Sequence, residues 1–138
     1  MKQRVLFLCT GNRARSQMAE GLLRHFATNR FEVFSAGTKP KGLSRTTLQV
    51  MLEIGIDVSN LRFMPANEFL DQEFDYVITV CNSARTECPV FAAAKRRLHW
   101  DVKDPAELER AGIASIDAFR GARDELRRRI EKFISSLL

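Results

Sequence analysis

With 138 residues, 45% of them hydrophobic and 28% charged, the chain has the size and composition of one globular domain, not of a disordered or collagen-like chain. Its longest apolar runs, Val5 to Cys9 and Tyr76 to Cys81, fall far short of the roughly 18 residues that cross a bilayer, and the stretch after Met1-Lys2-Gln3-Arg4 is too short for a signal peptide. The formal charge of +5 reads as a solvated surface; the densest basic run, Arg127-Arg128-Arg129, fans over about 200° of a helix and cannot line one nucleic-acid groove.

Apolar runs alternate with helical patterns along the whole chain. Arg4 to Cys9 reads as a buried strand, and the pattern from Ser16 to Thr28 reads as a helix. Phe31 to Phe34 predicts a short second strand, followed by helical patterns at Arg45 to Ile54 and, weakly, at Ala66 to Asp71. Asp75 to Val80 is the strand richest in β-branched residues, and Arg97 to Trp100 is a short fourth. A long last helix is expected from Ser115 to the C-terminus, with Ile116, Phe119, Leu126, Ile130, Phe133, Ile134 and Leu137 on its apolar side. Strands separated by helices predict βαβ units and an α/β fold, a parallel sheet covered on both faces within one domain, residues 1–138. Ligands of such sheets bind beyond the carboxyl ends of the strands. That directs attention to the segments immediately after Leu8, Val80 and Trp100.

After the first strand comes Cys9-Thr10-Gly11-Asn12-Arg13-Ala14-Arg15-Ser16. A short loop there can turn successive backbone N–H groups inward to hold an anion. Gly11 permits close approach and Asn12 tolerates positive φ. The following helix adds its partial positive charge, and Arg15 offers a planar fork to two oxygens of a tetrahedral oxyanion. Cys9 set against these donors is expected to be a thiolate at neutral pH. Ser16 is placed to cap the helix and to hydrogen-bond the sulfur. The plain structural alternative is a buried cysteine followed by an ordinary helix; the position of Cys-x5-Arg between strand and helix favours the anion loop.

Two further places carry chemistry. Asp104-Pro105 follows the fourth strand, where a carboxyl held over an anion loop can protonate a leaving oxygen; Pro105 restricts Asp104 to extended conformations. Cys81 and Cys88 follow the third strand. An odd total of three cysteines in a reducing compartment argues against a structural disulfide framework. Their spacing, with only His25 and His99 as imidazoles, does not make a zinc site. On a continuous helix residues seven apart differ by about 10.5 Å in rise, whereas a disulfide needs Cα atoms within about 7 Å. A bond between Cys81 and Cys88 therefore requires a looped or unwound segment, and core filling is the simpler role for each cysteine taken alone.

The run Cys9-Thr10-Gly11-Asn12-Arg13-Ala14-Arg15-Ser16-Gln17-Met18-Ala19-Glu20-Gly21 resembles the phosphate loop of the low-molecular-weight protein tyrosine phosphatase superfamily, most closely its thioredoxin-coupled arsenate reductase branch. The resemblance continues through Ser35-Ala36-Gly37, Gly55-Ile56-Asp57-Val58-Ser59, His99-Trp100 and Asp104-Pro105. It implies a single three-layer domain, a four-stranded parallel sheet flanked by helices. It also implies Cys9 as nucleophile, Arg15 as oxyanion ligand within a loop of residues 10–16, and Asp104 as general acid. Cys81 and Cys88 would act as a redox relay drained by thioredoxin. Arsenate or phosphate is then the expected oxyanion, in a cytoplasmic, monomeric enzyme without a cofactor. Some relatives hold potassium near the loop through Asn, Glu, Ser and Asp. Asn12, Glu20 and Ser35 match three of these, but Met64 stands at the Asp position, and no metal is expected.

Other departures bear on the chemistry. Arg13-Ala14 replaces the usual Ser-Cys pair, Asp101 stands where the branch usually has Gly, and Lys103 replaces an acidic residue beside Asp104. The chief rival reading is a tyrosine phosphatase working through a Cys9 phosphoenzyme. Such relatives often follow Asp-Pro with aromatic residues, whereas Ala106-Glu107-Leu108 follow here, and they need no Cys81/Cys88 pair. A non-enzymatic oxyanion or thiol sensor is the other rival; it would bind anions without turnover.

Overall fold

A computed structural model of the chain describes residues 2–9, 14–37, 44–61, 64–80, 94–103, 105 and 115–137. Four strands form its centre: β1 (Gln3–Cys9), β2 (Phe31–Gly37), β3 (Phe74–Thr79) and β4 (Ala94–His99). Around them lie α1 (Arg15–Ala27), α2 (Arg45–Leu52), a 3₁₀ turn (Ala66–Phe69) and α3 (Ser115–Ser136). All strand pairs are parallel and the order is β2-β1-β3-β4. The α/β architecture and the four-stranded parallel sheet therefore match the expectation.

The continuous apolar run of β1 is explained by burial on both faces. Val5, Phe7 and Cys9 join one core cluster, whereas Leu6 and Leu8 join another, the two-residue alternation of a strand. The first cluster receives Met18, Leu22 and Leu23 from α1, Val50 and Met51 from α2, and Leu126, Ile130 and Phe133 from α3. On the opposite face, Phe69 and Phe74 pack with Ala66, Val77 and the half-buried Phe34. Arg4 closes the amino end of this layer, its guanidinium 4.9 Å from the Phe34 ring centre and 4.8 Å from that of Phe74.

Element ends depart from the sequence expectation for physical reasons. The second strand extends to Gly37, because Ser35, Ala36 and Gly37 pair with Phe7, Leu8 and Cys9 despite their low β propensity. The fourth strand begins three residues early, at Ala94, and takes in Lys95 and Arg96, which like Arg97 are exposed. The weak helical pattern near Ala66 is a short 3₁₀ turn, ending at Phe69. Helix α2 stops at Leu52 because Gly55 adopts φ 78°, letting Ile56 N–H reach Met51 O at 3.0 Å and Gly55 N–H reach Leu52 O at 3.0 Å.

Gly21 lies inside α1, where glycine costs about 1 kcal/mol relative to alanine. Close approach explains it: a Cβ at this position would stand 2.7 Å from Cγ1 of the fully buried Val58. Gly21→Ala is therefore expected to destabilise the protein by roughly 1–3 kcal/mol, the usual cost of overpacking, although alanine is the better helix former. Denaturant unfolding of the two proteins measures this; an equal or higher midpoint for the variant would contradict it.

A second tie joins α3 to α2. Arg123 donates through Nη1 to Val50 O at 2.9 Å and to Glu53 at 2.7 Å, while Arg120 donates to the same carboxylate at 2.6 Å. The hydrogen bonds from Arg120, joined by those from Arg123, hold the Glu53 carboxyl down at about 2, against an ordinary 4.5. A depressed carboxyl stabilises the fold above its unfolded value and loses that contribution as pH falls toward the folded one. Glu53→Gln should thus lower the melting temperature at neutral pH, and the gap to the unsubstituted protein should close between about pH 4.5 and pH 2. A gap independent of pH over that window would contradict the assignment.

Candidate active site

The sheet changes direction between β1 and β3: the chain moves outward one way from β1 to β2 and the other way from β3 to β4. Such a switch point opens a crevice at the carboxyl ends of the two central strands. Cys9 is the last residue of β1 and lies there, 2% exposed, in register with Gly37. Its neighbour strand is held close, since Leu8 pairs with Thr79 and Val80 N–H donates to Leu8 O at 2.8 Å.

Helix α1 begins beside the sulfur. Ser16, its second residue, places Oγ 2.9 Å from Cys9 Sγ, and both side chains are buried. The first turn of the helix, with its partial positive charge, therefore abuts the sulfur. The expectation that Ser16 caps the helix is not met. Ala14 is the cap residue and offers no side-chain acceptor; Ser16, two residues further in, turns its hydroxyl to the cysteine.

Arg15 is 6% exposed, an unusual degree of burial for a guanidinium. Its Nη1 donates to Val102 O at 3.0 Å. Val102 is itself buried, packed among the residues under α1 and α3, and two positions later the chain carries Asp104. The expected oxyanion ligand is thus anchored to the loop that leads into the expected acid. Thr10, Gly11, Asn12, Arg13, Asp104, Cys81 and Cys88 lie outside the described residues. Asp101, the competitor to Asp104, is exposed, as is Lys103.

One row of α1 side chains runs from the cysteine along β2. Ser16, Glu20 and Arg24 are spaced by four, so each is about 6 Å further along the helix, while two strand residues cover about 6.6 Å. Helix and strand therefore stay in step. Ser16 meets Cys9, which pairs with Gly37; Glu20 Oε1 accepts from Ser35 Oγ at 2.6 Å; Arg24 Nε donates to Glu20 Oε2 at 2.8 Å and its Nη2 to Val33 O at 2.5 Å. Burial raises the Glu20 carboxyl above its ordinary value, opposed by the hydrogen bond from Ser35 and by Arg24. On β4, His99 pairs with Thr79 and its Nδ1 is hydrogen-bonded to the Thr79 hydroxyl. Among the described residues there is no cluster of His, Cys, Asp and Glu fit to hold a metal, and no helix long and apolar enough to cross a membrane.

Two contacts were not anticipated from the sequence. The Val102 carbonyl is a backbone acceptor, which no residue type announces. Glu20 and Arg24 have the i,i+4 spacing of an ordinary helix-surface pair, and only the fold shows that the carboxylate is buried against Ser35.

Residues 4–138 match the low molecular weight phosphotyrosine protein phosphatase family. An arsenate reductase of Shouchella clausii is 39% identical over 132 residues, an alignment covering 96% of this chain and 95% of the relative. A solved arsenate reductase in the phosphate binding state superposes with a TM-score of 0.81 at 29% identity, covering 100% of both chains. A second arsenate reductase structure, in the oxidized state, gives 0.84 at 27% identity and 99% coverage of both. With Cys9 at the switch point, a helix start beside it and a match over residues 4–138, the chain belongs to the low molecular weight phosphotyrosine protein phosphatase family.

Proposed function

We propose that the chain is a cytoplasmic, monomeric arsenate reductase that draws its electrons from thioredoxin. The observation that carries this reading is the contact of Cys9 Sγ with Ser16 Oγ at the start of α1, beside the buried Arg15. A hydroxyl able to donate to sulfur and a helix N-terminus both favour the thiolate, the form that attacks. The full-length likeness to arsenate reductases adds the substrate class.

In the proposed cycle, residues 10–16 and the Arg15 guanidinium hold arsenate. The Cys9 thiolate attacks arsenic while Asp104 protonates the departing hydroxide, which leaves as water. Cys81 as thiolate then attacks the Cys9 sulfur. The sulfur–arsenic bond breaks with its electron pair passing to arsenic, which leaves as arsenite, and a Cys9–Cys81 disulfide remains. Cys88 attacks Cys81, frees the Cys9 thiolate, and forms the disulfide that thioredoxin reduces. Val80, which directly precedes Cys81 in the sequence, donates its N–H to Leu8 O, one residue before Cys9.

Phosphate esters would use only the first half of this cycle, attack and hydrolysis, so slow aryl phosphate hydrolysis is an expected side activity. The deciding experiment is arsenate-dependent NADPH oxidation with thioredoxin and thioredoxin reductase, beside a glutaredoxin system. Turnover with thioredoxin is the expected result. No arsenate-dependent oxidation, together with brisk hydrolysis of a phosphotyrosine peptide, would assign the protein to phosphatase chemistry.

A further inference from the structure

The Glu20 carboxylate is buried on the Cys9 side of the sheet, and a buried carboxylate needs a positive partner and hydrogen bonds. Potassium, which some relatives hold near this position, would require several oxygen ligands. The residues here do not fit that ion. Both Glu20 oxygens already accept from protein donors, Oε1 from Ser35 Oγ at 2.6 Å and Oε2 from Arg24 Nε at 2.8 Å. The Val33 carbonyl, a further oxygen on the same stretch of β2, is taken by Arg24 Nη2. Met64, at the position of the fourth ligand, packs its side chain into the cluster on the other face of the sheet, and a thioether suits soft metals only.

We infer that Arg24 is a positioning residue, a tethered cation that neutralises Glu20 and ties α1 to β2, so that this protein needs no monovalent metal ion at that place. The Arg24–Glu20–Ser35 geometry alone carries this role, whichever reaction Cys9 performs. The guanidinium closes the carboxylate from its solvent side, since the Arg24 side chain is 49% exposed and that of Glu20 only 5%. The contacts among Arg24, Glu20, Ser35 and Val33 hold the row that ends at Ser16 and Cys9.

Removing the guanidinium would release Glu20 Oε2 and the Val33 carbonyl as ligands for a small cation, beside Glu20 Oε1 and the Ser35 hydroxyl, which stay bonded to each other. The test is thermal unfolding in KCl, NaCl and choline chloride at equal ionic strength. The unsubstituted protein is expected to melt at the same temperature in all three salts. Arg24→Gln is expected to melt lower and to be partly rescued by KCl or NaCl but not by choline chloride, because a bound ion stabilises only the folded state. Arg24→Lys, which keeps a charge on a flexible stem, should stay indifferent to the cation. A metal-ion-specific rise in the melting temperature of the unsubstituted protein would overturn the inference. So would a folded Arg24→Gln that ignores the ion, or an Arg24→Lys that responds to it.

Discussion

Arg15→Lys is expected to lower arsenate turnover by about 10²- to 10³-fold, the usual loss when one donor to a developing oxyanion is removed. The guanidinium can satisfy two demands at once: it donates to Val102 O through Nη1 while its planar fork is shaped for the oxygens of a tetrahedral anion. Lysine is a single point of charge on a flexible stem and cannot reproduce both. The variant should also lose the protection that sulfate or phosphate gives Cys9 against iodoacetamide. Wild-type turnover in Arg15→Lys would remove the side chain from the oxyanion site and leave it a structural strut under Val102.

The relay cysteines carry the other large effect. Arsenate reduction needs two electrons beyond the first attack, and in the proposed cycle only thiols supply them. Cys81→Ser should abolish thioredoxin-linked turnover, since no sulfur is left to attack Cys9. Cys88→Ser should stop after one arsenite per enzyme, trapped as a Cys9–Cys81 disulfide. Both substitutions leave Cys9, Ser16 and Arg15 in the sequence, so hydrolysis of an aryl phosphate should survive both. Rapid-quench counting of arsenite separates these outcomes. Continued multiple turnover in Cys88→Ser would show that thioredoxin reaches the first disulfide directly.

The sequence exposed the fold where burial dictates residue type. β1 and β3 are apolar on both faces because helices and aromatic layers cover the sheet, and such runs can be read without knowing the topology. Less legible were Ser35-Ala36-Gly37, which pair as strand because β1 offers them a ladder, and Lys95-Arg96, whose charge disguises the start of an outer strand. The site was readable at Cys9, Arg15 and Ser16 because chemistry restricts those residue types and their spacing. It was opaque at Val102, whose contribution is a carbonyl, and at Arg24, which reads as a surface residue until the helix is laid along β2. Local pattern reveals elements and candidate nucleophiles. Contacts across 87 positions, as between Arg15 and Val102, come from the packing of elements.

The measurement that bears most directly on the proposed reaction is the intact mass of the reduced protein after treatment with arsenate in the absence of any reductant. Reduction of one arsenate must oxidise two thiols of the enzyme itself. The protein is therefore expected two hydrogens lighter, one arsenite released per chain, with peptide mapping placing the disulfide between Cys81 and Cys88. An unchanged mass with all thiols still alkylatable, in a preparation that turns over aryl phosphate, would contradict the reductase account.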